Sequence, residues 1–374
     1  MALVFCAAGC AMHENSAVGP DEPAGEPVNA VIEEPVPPAQ EFDTPEPVEE
    51  EEPPPDNGWQ FDAPENHGVD RDMLERFHAT LANVDIRCVL IVKDGYIIDE
   101  YYAEDCDENT IFHMASVTKS VTGAVVGLAV DRGLLHVDEK LKDFFPQLNE
   151  PEQADKRDIT VENLLTHTSG IYWNEWAGGD YYIRLARSEN WVDFVFSQPM
   201  ASEPGTAFNY TTGGSHLLGA VLQEAVGESA YDFAKEHLFN PLGMDGVLWQ
   251  TDPQGITDTG NGIEMTARDA AKFGQLYLYG GNWRGQQIIS EEWVEKSIRR
   301  QSAGSYGTGE HGYGWWLHSF NGYQGYYAMG HGGQYIIVIP ELNLVTVMAS
   351  RVSNTYTPQY LFADYVIPAF RQGK

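Results

Sequence analysis

Ser116 and Lys119 stand three positions apart in Ser116-Val117-Thr118-Lys119, so on a helix a hydroxyl and an amine reach the same point in space. The run that follows, Val121, Ala124, Val125, Val126, Leu128, Ala129 and Val130, has no polar stripe and predicts a helix packed on several sides. Lys119 then starts inside the protein. Burial disfavours the ammonium and pulls the amine down from an ordinary pKa of about 10.4 toward neutrality. A hydroxyl beside such an amine is an activated nucleophile, suited to covalent acyl transfer. A capped helix with a snorkelling lysine has the same four residues, so the surroundings must decide between the two readings.

Those two side chains need a frame. Cys88 to Val92 and Tyr96 to Tyr102 are apolar or alternating runs around Lys93-Asp94-Gly95, the pattern of a β-hairpin. The Ser116 helix follows and ends near Arg132-Gly133. Short helices are predicted at Val161 to Thr166, Ser188 to Phe196 and Gly214 to Val226, and amphipathic ones at Thr266 to Tyr279 and Ser290 to Arg300. Strand patterns return at Gly312 to Leu317, Gln324 to Met329, Tyr335 to Ile339 and Leu344 to Ser350, before a last helix over Pro358 to Phe370. Strands at both ends with helices between them predict an α+β fold. Its antiparallel sheet is built from N- and C-terminal segments flanked by helices, and a mainly helical lobe, approximately 133–260, is inserted between them. The cleft between lobe and sheet has Ser116 at its base.

Composition divides the 374-residue chain. Residues 1–58 contain no Lys or Arg and are dense in Pro, Glu and Asp; residues 11–57 read as a disordered, self-repelling acidic tether. Residues 59–374 have the composition of a globular enzyme-sized body. The net charge of −34 argues against a nucleic-acid partner and fits an acidic surface kept soluble in salt. Cys88 and Cys106 are too few and too poorly spaced for a metal cluster; in an oxidising compartment they can form a disulfide, and in a reducing one they stay free thiols. There is no G-x-S-x-G elbow, no His-Glu-x-x-His helix and no glycine-rich phosphate loop, which points to cofactor-free chemistry.

Four motifs in order carry a specific resemblance: Phe112 to Lys119; Leu164-Leu165-Thr166-His167-Thr168-Ser169-Gly170; Pro204 to Gly213 with Asn209-Tyr210-Thr211-Thr212; and His331-Gly332-Gly333. From about Trp59 to its end the chain resembles the serine β-lactamase and penicillin-binding-protein superfamily, in the branch of class C β-lactamases, DD-peptidases, esterases and 6-aminohexanoate-dimer hydrolases. The resemblance implies Ser116 as nucleophile, Lys119 in proton transfer, and Tyr210 as general base in acylation and acid toward the leaving group. In that role Lys119 would favour an ionised Tyr210. It implies an oxyanion hole from the backbone N–H groups of Ser116 and Gln334, and substrate contacts from Thr212, His331, Gly332 and Gly333. Trp173, in the Ile171 to Trp176 stretch, suits a cleft wall or the core of the lobe equally. His167 reads as a hydrogen-bonded structural corner.

Two motifs depart from the penicillin-hydrolysing pattern. Thr212 stands where those proteins carry Asn, and His331-Gly332 replaces a lysine and a hydroxyl residue that bind a carboxylate. The implied function is therefore cleavage of an ester or amide in a small-molecule or peptide-like substrate. A β-lactamase or DD-peptidase activity and a non-catalytic peptidoglycan- or partner-binding role are the alternatives. The first ten residues resemble the lipobox of a bacterial lipoprotein leader, although a basic n-region is missing. That implies an exported, periplasmic or cell-envelope protein tethered to a membrane through a lipidated Cys10.

Overall fold

A computed structural model of the chain describes residues 58–175, 180–305 and 308–370. The leader with Cys10, the acidic tether and Trp176 lie outside the described residues. The framework is a nine-stranded sheet. Its strands are β1 (Gln60–Phe61), β2 (Ile86–Lys93), β3 (Tyr96–Tyr102), β4 (Ser302–Ser305), β5 (Gly309–His311), β6 (Trp316–Phe320), β7 (Tyr323–Gly330), β8 (Gln334–Ile339) and β9 (Leu344–Ser350). They lie in the order β1-β3-β2-β9-β8-β7-β6-β5-β4, antiparallel throughout except for β1 on β3. The N- and C-terminal parts of the chain meet where β2 pairs β9, with Leu90 opposite Val347 and Val92 opposite Val345.

Strand alternation separates two cores. Cys88, Leu90 and Val92 of β2, with Val345, Val347 and Ala349 of β9, face the side covered by helices α2 (Thr118–Asp131) and α4 (Ala267–Leu278). Val89 and Ile91, with Leu344 and Met348, face helix α1 (Arg71–Leu81) and the C-terminal helical segment 357–369. Both faces are covered, so β2 and β9 read as nearly continuous apolar runs rather than clean alternations. The β2–β3 hairpin turns at Asp94 (φ 51°) and Gly95 (φ 85°), two successive left-handed residues of the kind a two-residue turn requires.

Between α2 and residue 260 the chain is mostly helical. Its elements include Val161–Leu165, Trp191–Phe196, helix α3 (Thr212–Val226) and Ala230–Ala234. Helix α2 is buried along nearly its whole length, as its missing polar stripe predicts. Trp293 lies so close to it that a Cβ on Gly127 would come within 2.3 Å of the indole. Gly127→Ala is therefore expected to destabilise the protein by about 1–3 kcal/mol through overpacking. A urea unfolding curve that superimposes on wild type would refute this.

Two sequence expectations need correction. Ser116 is not on the α-helix but in a 3₁₀ turn, Ala115–Val117, that precedes it. Residues 312–315 form a turn closed by Gly312 N on Trp315 O (2.8 Å), so the strand begins at Trp316 rather than Gly312. Helix α1 and strands β4 and β5 were not anticipated. Cys88 and Cys106 are free thiols: Cys88 is buried in β2, while the Cys106 thiol lies 3.4 Å from the Arg87 guanidinium.

Candidate active site

The turn carrying Ser116 is fixed from three directions. Phe112 and His113 pair with Met265 and Glu264 in a small three-stranded sheet, and Met114 N donates to Ile263 O (3.0 Å). The Thr118 hydroxyl donates to Ala115 O (2.5 Å) and accepts from Ile263 N (3.1 Å), tying the turn to the segment after residue 260. Against the third side lies the end of β7, where a Cβ on Gly330 would come within 2.3 Å of Met114 O. Ala115, immediately before Ser116, has φ 47°, a left-handed conformation unfavourable for a residue with a Cβ. Strain of this kind, held by the surrounding hydrogen bonds, is characteristic of functional positions.

Lys119 is 4 % exposed, and its amine is surrounded by acceptors: Ser116 Oγ at 3.0 Å, Thr212 Oγ1 at 3.0 Å and Gly260 O at 2.7 Å. Burial lowers its pKa from 10.5 to about 8, against the opposing pull of the Glu175 and Asp258 carboxylates. Tyr210 is also buried, with its hydroxyl hydrogen-bonded to the Ser116 side chain and its ring centroid 4.9 Å from Lys119 Nζ. Burial pushes the phenol well above its ordinary pKa of 10, so the resting site favours a protonated Tyr210. The role implied by the resemblance calls instead for the ionised form.

A cage of rings supports Tyr210 from behind. His167 lies at 4.4 Å and Trp316 at 5.5 Å between centroids, and His311 packs against His167 at 4.9 Å with its ring tilted by 60°. Burial lowers the pKa of both imidazoles, that of His311 to about 3, so the cage is neutral. His167 has φ 55°, and its Nδ1 accepts from Thr211 N (3.2 Å), matching the structural corner expected of it.

Thr212 is buried between Lys119 and Glu175, whose Oε1 accepts the threonine hydroxyl at 2.5 Å and whose Oε2 accepts Thr212 N at 3.2 Å. Its side chain thus meets Lys119 on one side and Glu175 on the other. Trp173, 3 % exposed, packs edge-on against Phe194 within the lobe and donates its indole N–H to Glu175. Of its two readings the lobe core is the one realised; Tyr172, beside it, is the exposed aromatic. Gln334 opens β8, opposite Gly330, with its side-chain amide donating to Ser350 O (2.6 Å). His331 is exposed on the β7–β8 turn, where Gly332 and Gly333 take φ 78° and 87°.

Glu175 and Asp258 were not identified from sequence. Asp258 accepts from Gly260 N (3.0 Å) and Asn261 N (3.1 Å), shaping the turn whose carbonyl meets Lys119. Behind it, buried His216 pairs with Asp252 at 3.0 Å. A cavity of about 210 Å³ on the lobe is lined by Phe144, Asn190, Gln223 and Ile256 and shares no residue with this cluster, so the site is identified by side-chain geometry rather than by cavity size. Among the described residues, no three His, Cys, Asp or Glu side chains converge as metal ligands.

Comparison with known proteins places this geometry in context. A family model described as Beta-lactamase matches residues 86–363. The chain is 26% identical over 284 residues to penicillin-binding protein 4 of Amycolatopsis lactamdurans, covering 64% of this chain and 72% of that protein. It is 33% identical over 150 residues to esterase EstB of Burkholderia gladioli, covering 37% of this chain and 38% of the esterase. In fold it resembles the octameric penicillin-binding protein homologue from Pyrococcus abyssi, with a TM-score of 0.65 and 23% identity over 80% of this chain and 78% of that one.

Proposed function

The chain belongs to the Beta-lactamase family of serine hydrolases, and on that premise we propose that it cleaves an ester or an unactivated amide through an acyl-enzyme on Ser116. The observation that carries this reading is the Lys119 amine, which lies 3.0 Å from Ser116 Oγ and has a pKa near 8. At neutral pH a useful fraction of such an amine is free to accept the serine proton. Ser116 Oγ then forms a bond to the carbonyl carbon as its proton passes to Lys119. The backbone N–H groups of Ser116 and Gln334 receive the oxyanion.

Tyr210, held as a phenol, protonates the departing alcohol or amine. The phenolate left behind is neutralised by the ammonium of Lys119, which lies 4.9 Å from the ring centroid, and both groups return to their starting states. Water then attacks the acyl-enzyme by the same proton route and releases the acid. Support for an ester or amide over a β-lactam or a cell-wall peptide comes from His331 and Gly332, where a carboxylate-binding lysine and hydroxyl would otherwise stand. His331 is also exposed on a turn rather than anchored in the site.

Intact-mass spectrometry after incubation with a fluorophosphonate, a p-nitrophenyl ester or nitrocefin tests the reading. Wild type is expected to gain the fluorophosphonate adduct and to turn over the ester faster than nitrocefin, and Ser116→Ala is expected to gain nothing. A wild-type protein that stays unmodified by all three would favour a binding protein of the same fold.

A further inference from the structure

We propose that Glu175 is a positioning residue that aims the lone pair of Lys119 at Ser116 by holding the single proton of the Thr212 hydroxyl. The inference rests on Lys119 being the base that acylates Ser116. Thr212 Oγ1 lies between Glu175 Oε1 at 2.5 Å and Lys119 Nζ at 3.0 Å. A carboxylate can only accept, so the hydroxyl proton points to Glu175 and Thr212 offers Lys119 a lone pair. The 2.5 Å separation is that of a charge-assisted O–H···O⁻ bond. Gly260 O, on the other side of the amine at 2.7 Å, can also only accept.

Two of the three directions around Nζ therefore demand an N–H. When Lys119 loses a proton, the position emptied is the one facing Ser116 Oγ. Without the carboxylate, the threonine hydroxyl could turn and donate to the amine. Lys119 would remain neutral, but its lone pair would be occupied and Ser116 would lose its base.

The near-isosteric change Glu175→Gln reverses the relay. Thr212 N and Trp173 Nε1 both donate to Oε2, so the new amide keeps its oxygen there and turns its NH₂ toward Thr212 Oγ1. The hydroxyl then accepts from the amide and gives its proton to Lys119. Removing that hydroxyl as well abolishes the competing donor and frees the lone pair.

The test is the burst rate of p-nitrophenol release by the full chain. It is measured for wild type, Glu175→Gln, Thr212→Val and the double variant, with Thr212→Ala as a second apolar replacement and circular dichroism melts to confirm folding. Glu175→Gln is expected to acylate at least about tenfold more slowly, part of what a general base contributes. Adding Thr212→Val or Thr212→Ala to it is expected to recover most of that loss, whereas adding Thr212→Ser, which keeps a hydroxyl, is expected not to. A merely structural role for Glu175 gives losses that add. Wild-type rates in Glu175→Gln, or apolar double variants as slow as the single one, would overturn the inference while leaving Ser116 acylation intact. A wild-type enzyme with no burst and no adduct on Ser116 would overturn it together with the proposed function.

Discussion

Lys119→Met is expected to slow acylation of Ser116 by about a thousandfold, within the range a positioned general base contributes. The loss is this large because, among the described residues, no other group beside Ser116 is ready to take the serine proton. Tyr210 touches Ser116, but burial keeps it as a phenol. His167 and His311 are neutral, yet His167 Nδ1 is occupied by Thr211 N, and His311 lies behind it in the ring cage. Methionine has about the same reach as lysine, so the α2 packing survives. What the variant loses besides the base is a donor to Gly260 O and Thr212 Oγ1, and each buried acceptor left unpaired costs about 1–3 kcal/mol. Stability and rate must accordingly be read separately, the first by denaturant titration and the second by the p-nitrophenol burst. A folded Lys119→Met protein that retains a tenth or more of the wild-type burst rate would transfer the base role to Tyr210 or to water.

The pairing of Ser116 with Lys119 was legible because it is local. A spacing of three, followed by a helix with no polar face, is enough to place Ser116 beside Lys119 and to bury the lysine. The β2–β3 hairpin was legible for the same reason, since Asp94-Gly95 is turn chemistry read from adjacent residues. Helix α1 carries a comparable local signal: Asp70 caps it by accepting from Met73 N (3.3 Å), and Leu74, Phe77 and Leu81 line its buried face.

The 3₁₀ turn at Ser116 was not legible. It depends on Ala115 adopting φ 47° under the grip of Thr118, Ile263 and Gly330, residues brought together only by the fold. Glu175 was invisible for a related reason, because its partner Thr212 is 37 positions away and one exposed-looking acid among many has no periodicity to mark it. The protonation of Tyr210 belongs to the same class. A phenol beside a lysine can be pushed either way, and only the depth of burial decides which force wins.

That balance also sets the expected pH dependence. The proposed mechanism needs Lys119 neutral and Tyr210 protonated, and burial brings the pKa of Lys119 down to about 8. Below that value the amine carries a proton, so kcat/KM for an ester should rise about tenfold per pH unit, about fiftyfold in all from pH 6 to pH 8, and then level off. Glu175 and Asp258 both hold the midpoint up, and burial holds it down more strongly. The other groups facing the amine do not titrate in this window: His167 and His311 have been driven to lower pH by burial, and Tyr210 to higher pH.

Because Tyr210 must stay a phenol and is held as one well above pH 10, the plateau should extend past pH 9 without the descending limb of a bell-shaped profile. The exposed imidazole of His331 provides the control. His331→Asn is expected to leave the rising limb in place, and a limb that disappears in that variant would assign it to His331 instead. A profile flat from pH 6 to pH 8, or one that falls between pH 8 and pH 9, would contradict a neutral Lys119 acting with a protonated Tyr210.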